Sequence, residues 1–420
     1  MSQQPGFTPE IIASIRSRFI NVESDPIIGK RIYFENAGGT LKLKAILPEV
    51  ELLTGLPDNA GRQSGASKYI TEAMAKGRKD IALMLGANSG KIISEQSGTS
   101  MIFRILSTII RSIPGTNIVT SDLDHPAAYD ACHILARRHG LECRVAHLDP
   151  ATGEVRPEAV ARLVDEGTVV VAIIHASNML GTRNDVAEMV RQARRVKPEL
   201  YFFIDGCQHV SHGLVDVEEY GADAWIFDAY KAYSKIGASF AHISDRLAHL
   251  DRDNLAGKPA DDWDLGTREP AAFACMSKVV EYFQWLGGNF TDSIDPRAKI
   301  IAATRAIERY EAVLVDALLH GAGGQPGLLA LPGVTVYGQT KDLTKQQAII
   351  AFRMEGVAAG DIVRFLEARG VCVHTRTRDA YSRHTLEALG INECVRVSLC
   401  HYNTCEEIAV LLGLLRQVQK

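Results

Sequence analysis

Leu200-Tyr201-Phe202-Phe203-Ile204-Asp205-Gly206-Cys207-Gln208 sets an unbroken apolar run against an acid and a glycine. A run this short and this uniformly apolar reads as a strand buried on both faces. Asp205 then stands at the strand's carboxyl end, which is where open α/β sheets gather their ligands. Taken alone, a strand-end aspartate more often caps a turn. Its neighbours change that balance.

The same pattern repeats on either side. Residues 117–121, 143–148, 168–177, 224–228 and 239–244 are apolar, β-rich candidates, and helical periodicity fills 126–138, 157–164 and 186–196 between them. This alternation predicts an α/β core, a largely parallel sheet covered by helices. Beyond residue 296 the texture changes. A long helical stretch over 296–320 and a turn at Gly321-Ala322-Gly323-Gly324 lead to strand candidates at 334–338, 348–354, 371–375 and 394–399. The last helix opens on Thr404 with Glu407 three residues on, the spacing of a capping box. Near the start, Thr8 and Pro9 predict a helix over 9–19 that packs on this second unit.

Composition narrows the function. With 420 residues, 46% hydrophobic and 23% charged, the chain fits a soluble globular protein of two units. A net charge of −4 offers no basic stripe for phosphate backbones, so nucleic acid is not an expected partner. Residues 1–9 are polar and lack the apolar core of a secretory signal, and the apolar run 169–174 is too short to cross a bilayer. No membrane association and a cytoplasmic location are therefore expected. Eight cysteines lie scattered without a Cys-x-x-Cys pair, which argues against a metal site.

Lys231 follows the strand candidate 224–228 within Phe227-Asp228-Ala229-Tyr230-Lys231-Ala232-Tyr233. Most lysines are solvated, but one held among apolar groups at a strand end has its charged form disfavoured, which suits imine chemistry. Upstream, Gln96-Ser97-Gly98-Thr99-Ser100 precedes an apolar helix at 101–110. The free N–H groups there form either an ordinary cap or an anion site.

Gly98-Thr99-Ser100, Asp124-His125, Ser177-Asn178 with Gly181-Thr182, Asp205-Gly206-Cys207-Gln208, Tyr230-Lys231 and Arg396-Val397-Ser398 occur in one order. That series resembles the class V aminotransferases of the pyridoxal 5'-phosphate fold type I, cysteine desulfurases included. The likeness runs from Tyr33-Phe34-Glu35-Asn36-Ala37-Gly38-Gly39 to Tyr402-Asn403-Thr404. It implies a large domain, residues 30–295, with a mostly parallel sheet of the seven-stranded type. A smaller α+β domain would comprise residues 1–29 and 296–420.

The resemblance also implies roles. Lys231 would hold pyridoxal 5'-phosphate as a Schiff base, Asp205 would charge its ring nitrogen, His125 would stack on the ring, and Gln208 would reach the ring hydroxyl. Thr99, Ser100 and Tyr230 would hold the phosphate, with Thr267 reaching it from the partner of a homodimer. Asn178 and Arg396 would bind the α-carboxylate of a small amino-acid substrate. In isolation His125 reads as a satisfied loop histidine and Arg396 as a surface arginine. Only the joint pattern favours the site.

Two departures stand out. Asp228 and Tyr230 replace the serine and histidine usual before the lysine, and a carboxylate repels a phosphate unless a cation such as Lys235 or Arg268 intervenes. Asp379 stands where a desulfurase carries its persulfide-forming cysteine. With Trp263-Asp264-Leu265-Gly266-Thr267 and His401-Tyr402-Asn403-Thr404, the chain is similar to the cysteine desulfurase-like subfamily that lacks this cysteine. Elimination at Cβ (a lyase) or transamination is expected, and an ordinary desulfurase is disfavoured. The alternative is a cofactor-binding, non-catalytic or regulatory protein. His374, Arg376 and Arg378 recur at every second position, so an extended chain would aim them at one face. There they would read a second anionic group on the substrate, with Asp379 fixing one arginine, or else form a solvated basic loop.

Overall fold

The computed structural model describes residues 6–338 and 340–418. Residues 1–5 of the predicted N-terminal segment, with 339, 419 and 420, lie outside the described residues. Seven strands form the main sheet: β1 (Lys91–Glu95), β2 (Asn117–Ser121), β3 (Glu142–Ala146), β4 (Thr168–Ile174), β5 (Tyr201–Asp205), β6 (Ala224–Asp228) and β7 (Ser239–Ile243). Their order is β1-β7-β6-β5-β4-β2-β3, and only β7 runs against its neighbours. β1 was not among the strand candidates. It has two isoleucines between Lys91 and Ser94-Glu95, and its antiparallel pairing with β7 supplies what its own sequence does not.

The period of two in each strand divides the core. Phe203 and Ile226 face the helices Gly98–Ser112 and Pro126–His139, packing with Met101, Ile105 and Ala131. Phe202, Ile204, Trp225 and Phe227 face the other way, in one cluster with Phe273 and Val279 of helix Pro270–Gly287 and Ile300 and Ile307 of helix Pro296–His320. In β5 and β6, with both faces covered, the charged groups stand at the strand ends, Asp205 and Asp228.

A second sheet is antiparallel, in the order β8-β9-β11-β10: β8 (Val334–Tyr337), β9 (Ile349–Met354), β10 (His374–Thr377) and β11 (Glu393–Ser398). The strand predicted over 371–375 divides at Val373. Val371–Cys372 pairs in parallel with Ile32–Tyr33, and β10 pairs with β11. The last helix, Cys405–Val418, carries its capping box: Thr404 Oγ accepts Glu407 N–H, and Glu407 accepts Thr404 N–H. The N-terminal helix Pro9–Ser17 is tied to it by Arg16, which donates to Tyr402 O at 2.7 Å and to Glu407 at 3.0 Å.

Candidate active site

The carboxyl ends of β4, β5 and β6, the turn after β6 and two helix N-termini enclose a cavity of about 270 Å³. That is near the lower edge of small-molecule sites, which start at roughly 300 Å³. Thr99, His125, Asn178, Asp205, Gln208, Tyr230 and Lys231 line it together. Ser100 and Thr267 do not. The Ser100 hydroxyl is spent on the helix cap, donating to Ser97 O at 2.9 Å, and Thr267 is exposed.

Lys231 is 8% exposed, and its Nζ donates to Gln208 Oε1 at 3.4 Å. Asp205, more deeply buried, accepts Cys207 N–H at 3.0 Å. Burial pushes its carboxyl up, and the hydrogen bond and the Lys231 charge oppose that shift. His125 caps its own helix through Nδ1, which accepts Ala127 N–H at 3.2 Å. Burial and the Lys231 charge pull it down to about 3, leaving a neutral, flat ring at neutral pH. Just before it, Asp124 accepts from Thr120 and from the N–H and hydroxyl of Ser121, at 2.7–2.9 Å, and from Ile174 N–H. Four donors on one carboxylate fix the loop that aims His125.

Arg396, Arg376 and Arg378, predicted for the substrate, do not line the cavity either; the second sheet holds the first two behind its wall. Arg396 of β11, 2% exposed, donates to Asn178 O at 2.8 Å and to Glu35 at 2.5 Å. Arg376 of β10 donates to Tyr381 O at 2.8 Å, and burial beside Arg396 pulls it down to about 10. Each arginine therefore holds the backbone of a cavity-lining residue, and each keeps a buried Nε–H without a partner. Arg378 departs from the expected common face. β10 ends at Thr377, so Arg378 lies past the pleat, exposed, donating to Ile391 O at 2.9 Å. Asp379 accepts Tyr381 N–H at 2.8 Å and is not hydrogen-bonded to either arginine.

Asp228 turns to the opposite end of the cavity. Its Oδ1 accepts Gly98 N–H at 2.7 Å, the first free donor of helix Gly98–Ser112. Burial raises its carboxyl. Neither proposed counter-cation meets it: Lys235 pairs with Glu269 at 2.8 Å and Arg268 with Glu95 at 3.0 Å. Sequence reasoning also missed Lys42, whose Nζ donates to Tyr230 O at 2.6 Å and is drawn down to about 8 by burial. Tyr381 and Cys207 were missed as lining residues too. For pyridoxal 5'-phosphate, a buried lysine, a buried acid and a neutral imidazole in one cavity fit the ring. The helix end, holding a carboxylate, fits a phosphate less well.

The family model for aminotransferase class-V matches residues 32–411. The chain is 28% identical over 375 residues to a cysteine desulfurase of Shigella flexneri and 27% identical to one of Salmonella agona, covering 84% of each chain in both pairs. The fold resembles the apo cysteine desulfurase of Thermococcus onnurineus NA1, with TM-score 0.77, 22% identity and 92% and 94% of the two chains covered. It is equally close, at TM-score 0.77 and 20% identity, to the cysteine desulfurase CsdA of Escherichia coli, covering 97% and 98%. The chain belongs to the class-V aminotransferase family, whose members use pyridoxal 5'-phosphate.

Proposed function

We propose that this chain is a pyridoxal 5'-phosphate enzyme that labilises a bond at Cα of a small amino acid, leading to elimination at Cβ or to transamination. The observation that carries the proposal is Lys231, a buried lysine sharing one cavity with Asp205 and His125. The cofactor supplies the electron sink when bound. Lys231 anchors it and carries the proton taken from Cα. Asp205 holds a proton at the ring nitrogen, and neutral His125 offers a face to stack on. Arg396 and Asn178 orient the α-carboxylate, with Arg376 beside them for a second anionic group.

Two points tell against ordinary desulfurase chemistry. The family resemblance implies that Asp379 stands where a desulfurase carries its persulfide-forming cysteine, and the cavity-lining Cys207 has its thiol pushed far up by burial, the opposite of an activated thiolate. The Asp228 carboxylate on the helix end favours the second reading, a cofactor-fold protein without turnover. The test is the visible spectrum of the purified protein with added pyridoxal 5'-phosphate, followed by incubation with amino acids and assay for pyruvate, alanine and pyridoxamine phosphate. A Lys231-dependent band with product formation supports the enzyme. A band without product supports the second reading, and no band refutes both. We further propose a homodimer, with exposed Thr267 contributing to the neighbouring site. A fully active monomer in sedimentation would refute it.

A further inference from the structure

Behind Lys231 the hydrogen bonds continue inward. Gln208 accepts from Lys231 Nζ at 3.4 Å through Oε1, and its Nε2 lies 3.2 Å from His212 Nε2. His212 Nδ1 lies 2.8 Å from Glu311 Oε2, contributed by helix Pro296–His320. Both members of that pair are buried, and Glu311 Oε1 has no partner. His209, Tyr233, Cys400, His401 and Glu308 face the pair from neighbouring elements.

Donor and acceptor rules give this chain a direction. An ammonium can only donate, so Gln208 must turn its carbonyl oxygen to Lys231 and its NH2 to His212. His212 Nε2 must then accept, which places the ring's one proton on Nδ1, donated to an ionised Glu311. If His212 takes a second proton, Nε2–H becomes a donor, and Gln208 must rotate to give it the carbonyl and present NH2 to the cavity. His212 and Glu311 also line a separate cavity of about 280 Å³ with Arg183, Glu308 and Gln347, a route for that proton that bypasses the active site.

We propose that Glu311 and His212 are a positioning pair that decides which end of the Gln208 amide faces the active-site cavity. With Lys231 as a free ammonium, the pair holds one proton and Gln208 shows its oxygen. When an anionic oxygen occupies the cavity beside Gln208, the pair holds two protons and Gln208 shows its NH2. The second state rests on the cofactor reading above, because the ring oxygen of pyridoxal 5'-phosphate is the anion concerned.

Nitrogen-15 spectra of labelled histidines in the unloaded protein test the first state. A neutral His212 protonated on Nδ1 is expected, and a proton on Nε2 would overturn the assignment. After loading with pyridoxal 5'-phosphate, the His212 signal should become that of the doubly protonated ring. Glu311→Gln is close to isosteric and should keep the fold, but its amide can either accept from Nδ1–H or donate to a bare Nδ1. In the loaded variant His212 can therefore stay neutral, with its one proton on Nε2, and still turn the Gln208 NH2 to the cavity. Its nitrogen-15 signal should be that of a neutral ring protonated on Nε2, where the loaded wild type shows the doubly protonated ring. Cys400→Ala, beside the pair but outside the chain, should behave as the wild type. A doubly protonated His212 in the loaded, folded Glu311→Gln protein would overturn the proposal, as would a zinc ion retained by the wild type and lost in that variant. If no visible band develops at all, the cofactor reading fails, and the unloaded spectra still decide the direction of the pair.

Discussion

Asp205 and Asp228 end adjacent parallel strands, line one cavity, and have carboxyls raised by the same burial. They part in what they touch. Asp205 accepts Cys207 N–H within its own turn, leaving the carboxylate available to a ligand's cationic nitrogen. Asp228 crosses to a different element and takes the first N–H of a helix, the position where an anion would otherwise bind. At the lysine end a carboxylate stays open to the cavity, and at the helix end a carboxylate fills the anion position. Chemistry at the first end is therefore expected to be sensitive and specific, while the second end tunes how tightly the cofactor is held.

Lys231→Ala breaks the comparison most sharply. It should abolish the visible band and lower turnover by roughly 10³-fold or more, since both the covalent anchor and the proton carrier are lost. A variant that kept the band would mean that another lysine holds the cofactor. Asp205→Asn should retain cofactor and lose roughly 10²–10³-fold in kcat, because a neutral amide cannot hold the ring nitrogen charged. Equal kcat in the variant and wild type would remove Asp205 from the chemistry and leave the two aspartates equivalent.

The substrate side sharpens the contrast at a smaller scale. Arg396→Ala removes charge-assisted hydrogen bonds and should raise KM roughly 10- to 100-fold for any amino acid. Arg376→Ala should penalise dicarboxylic substrates more than neutral ones, whereas Arg378→Ala should change neither by more than about twofold, since its guanidinium is bound to Ile391 O away from the cavity. Equal losses for dicarboxylic and neutral substrates in Arg376→Ala would show that it supports the Tyr381 backbone and does not read charge.

These expectations also show what the sequence made legible. The β5 and β6 runs, their terminal acids and Lys231 could be read because each run is apolar up to the acid that ends it. β1 could not be read, because its stability comes from pairing with β7, which is remote in sequence. The period-two argument put His374, Arg376 and Arg378 on one face. Arg376 is buried while His374 and Arg378 are exposed, because β10 is short and His374 stands at its open start and Arg378 past its end. Glu311, His212 and Lys42 gave no local signal. Their roles arise from contacts across as many as 188 residues of chain, as in the bond from Lys42 to Tyr230.

Among the cavity-lining residues the smallest expected effect belongs to Asp228, and it tests the helix end directly. Burial already raises this carboxyl in the unloaded protein, and a bound phosphate beside it would raise it further. Binding of the cofactor is then coupled to proton uptake. Affinity is full below the carboxyl's value in the unloaded protein and falls as pH rises toward its higher value in the loaded one. Above that value, binding levels off at its weakest. Asp228→Asn carries no charge at any pH, can still accept the Gly98 N–H and can offer an NH2 to the phosphate. Its affinity for pyridoxal 5'-phosphate should be nearly flat with pH and about tenfold tighter than wild type at the alkaline end, about 1.4 kcal/mol for each unit of coupled shift. Pyridoxal without the phosphate serves as the control, since it should bind both proteins with the same pH dependence. If the wild-type affinity for the phosphorylated form is also flat, the phosphate does not meet Asp228, and the helix end is a structural cap held by a carboxylate.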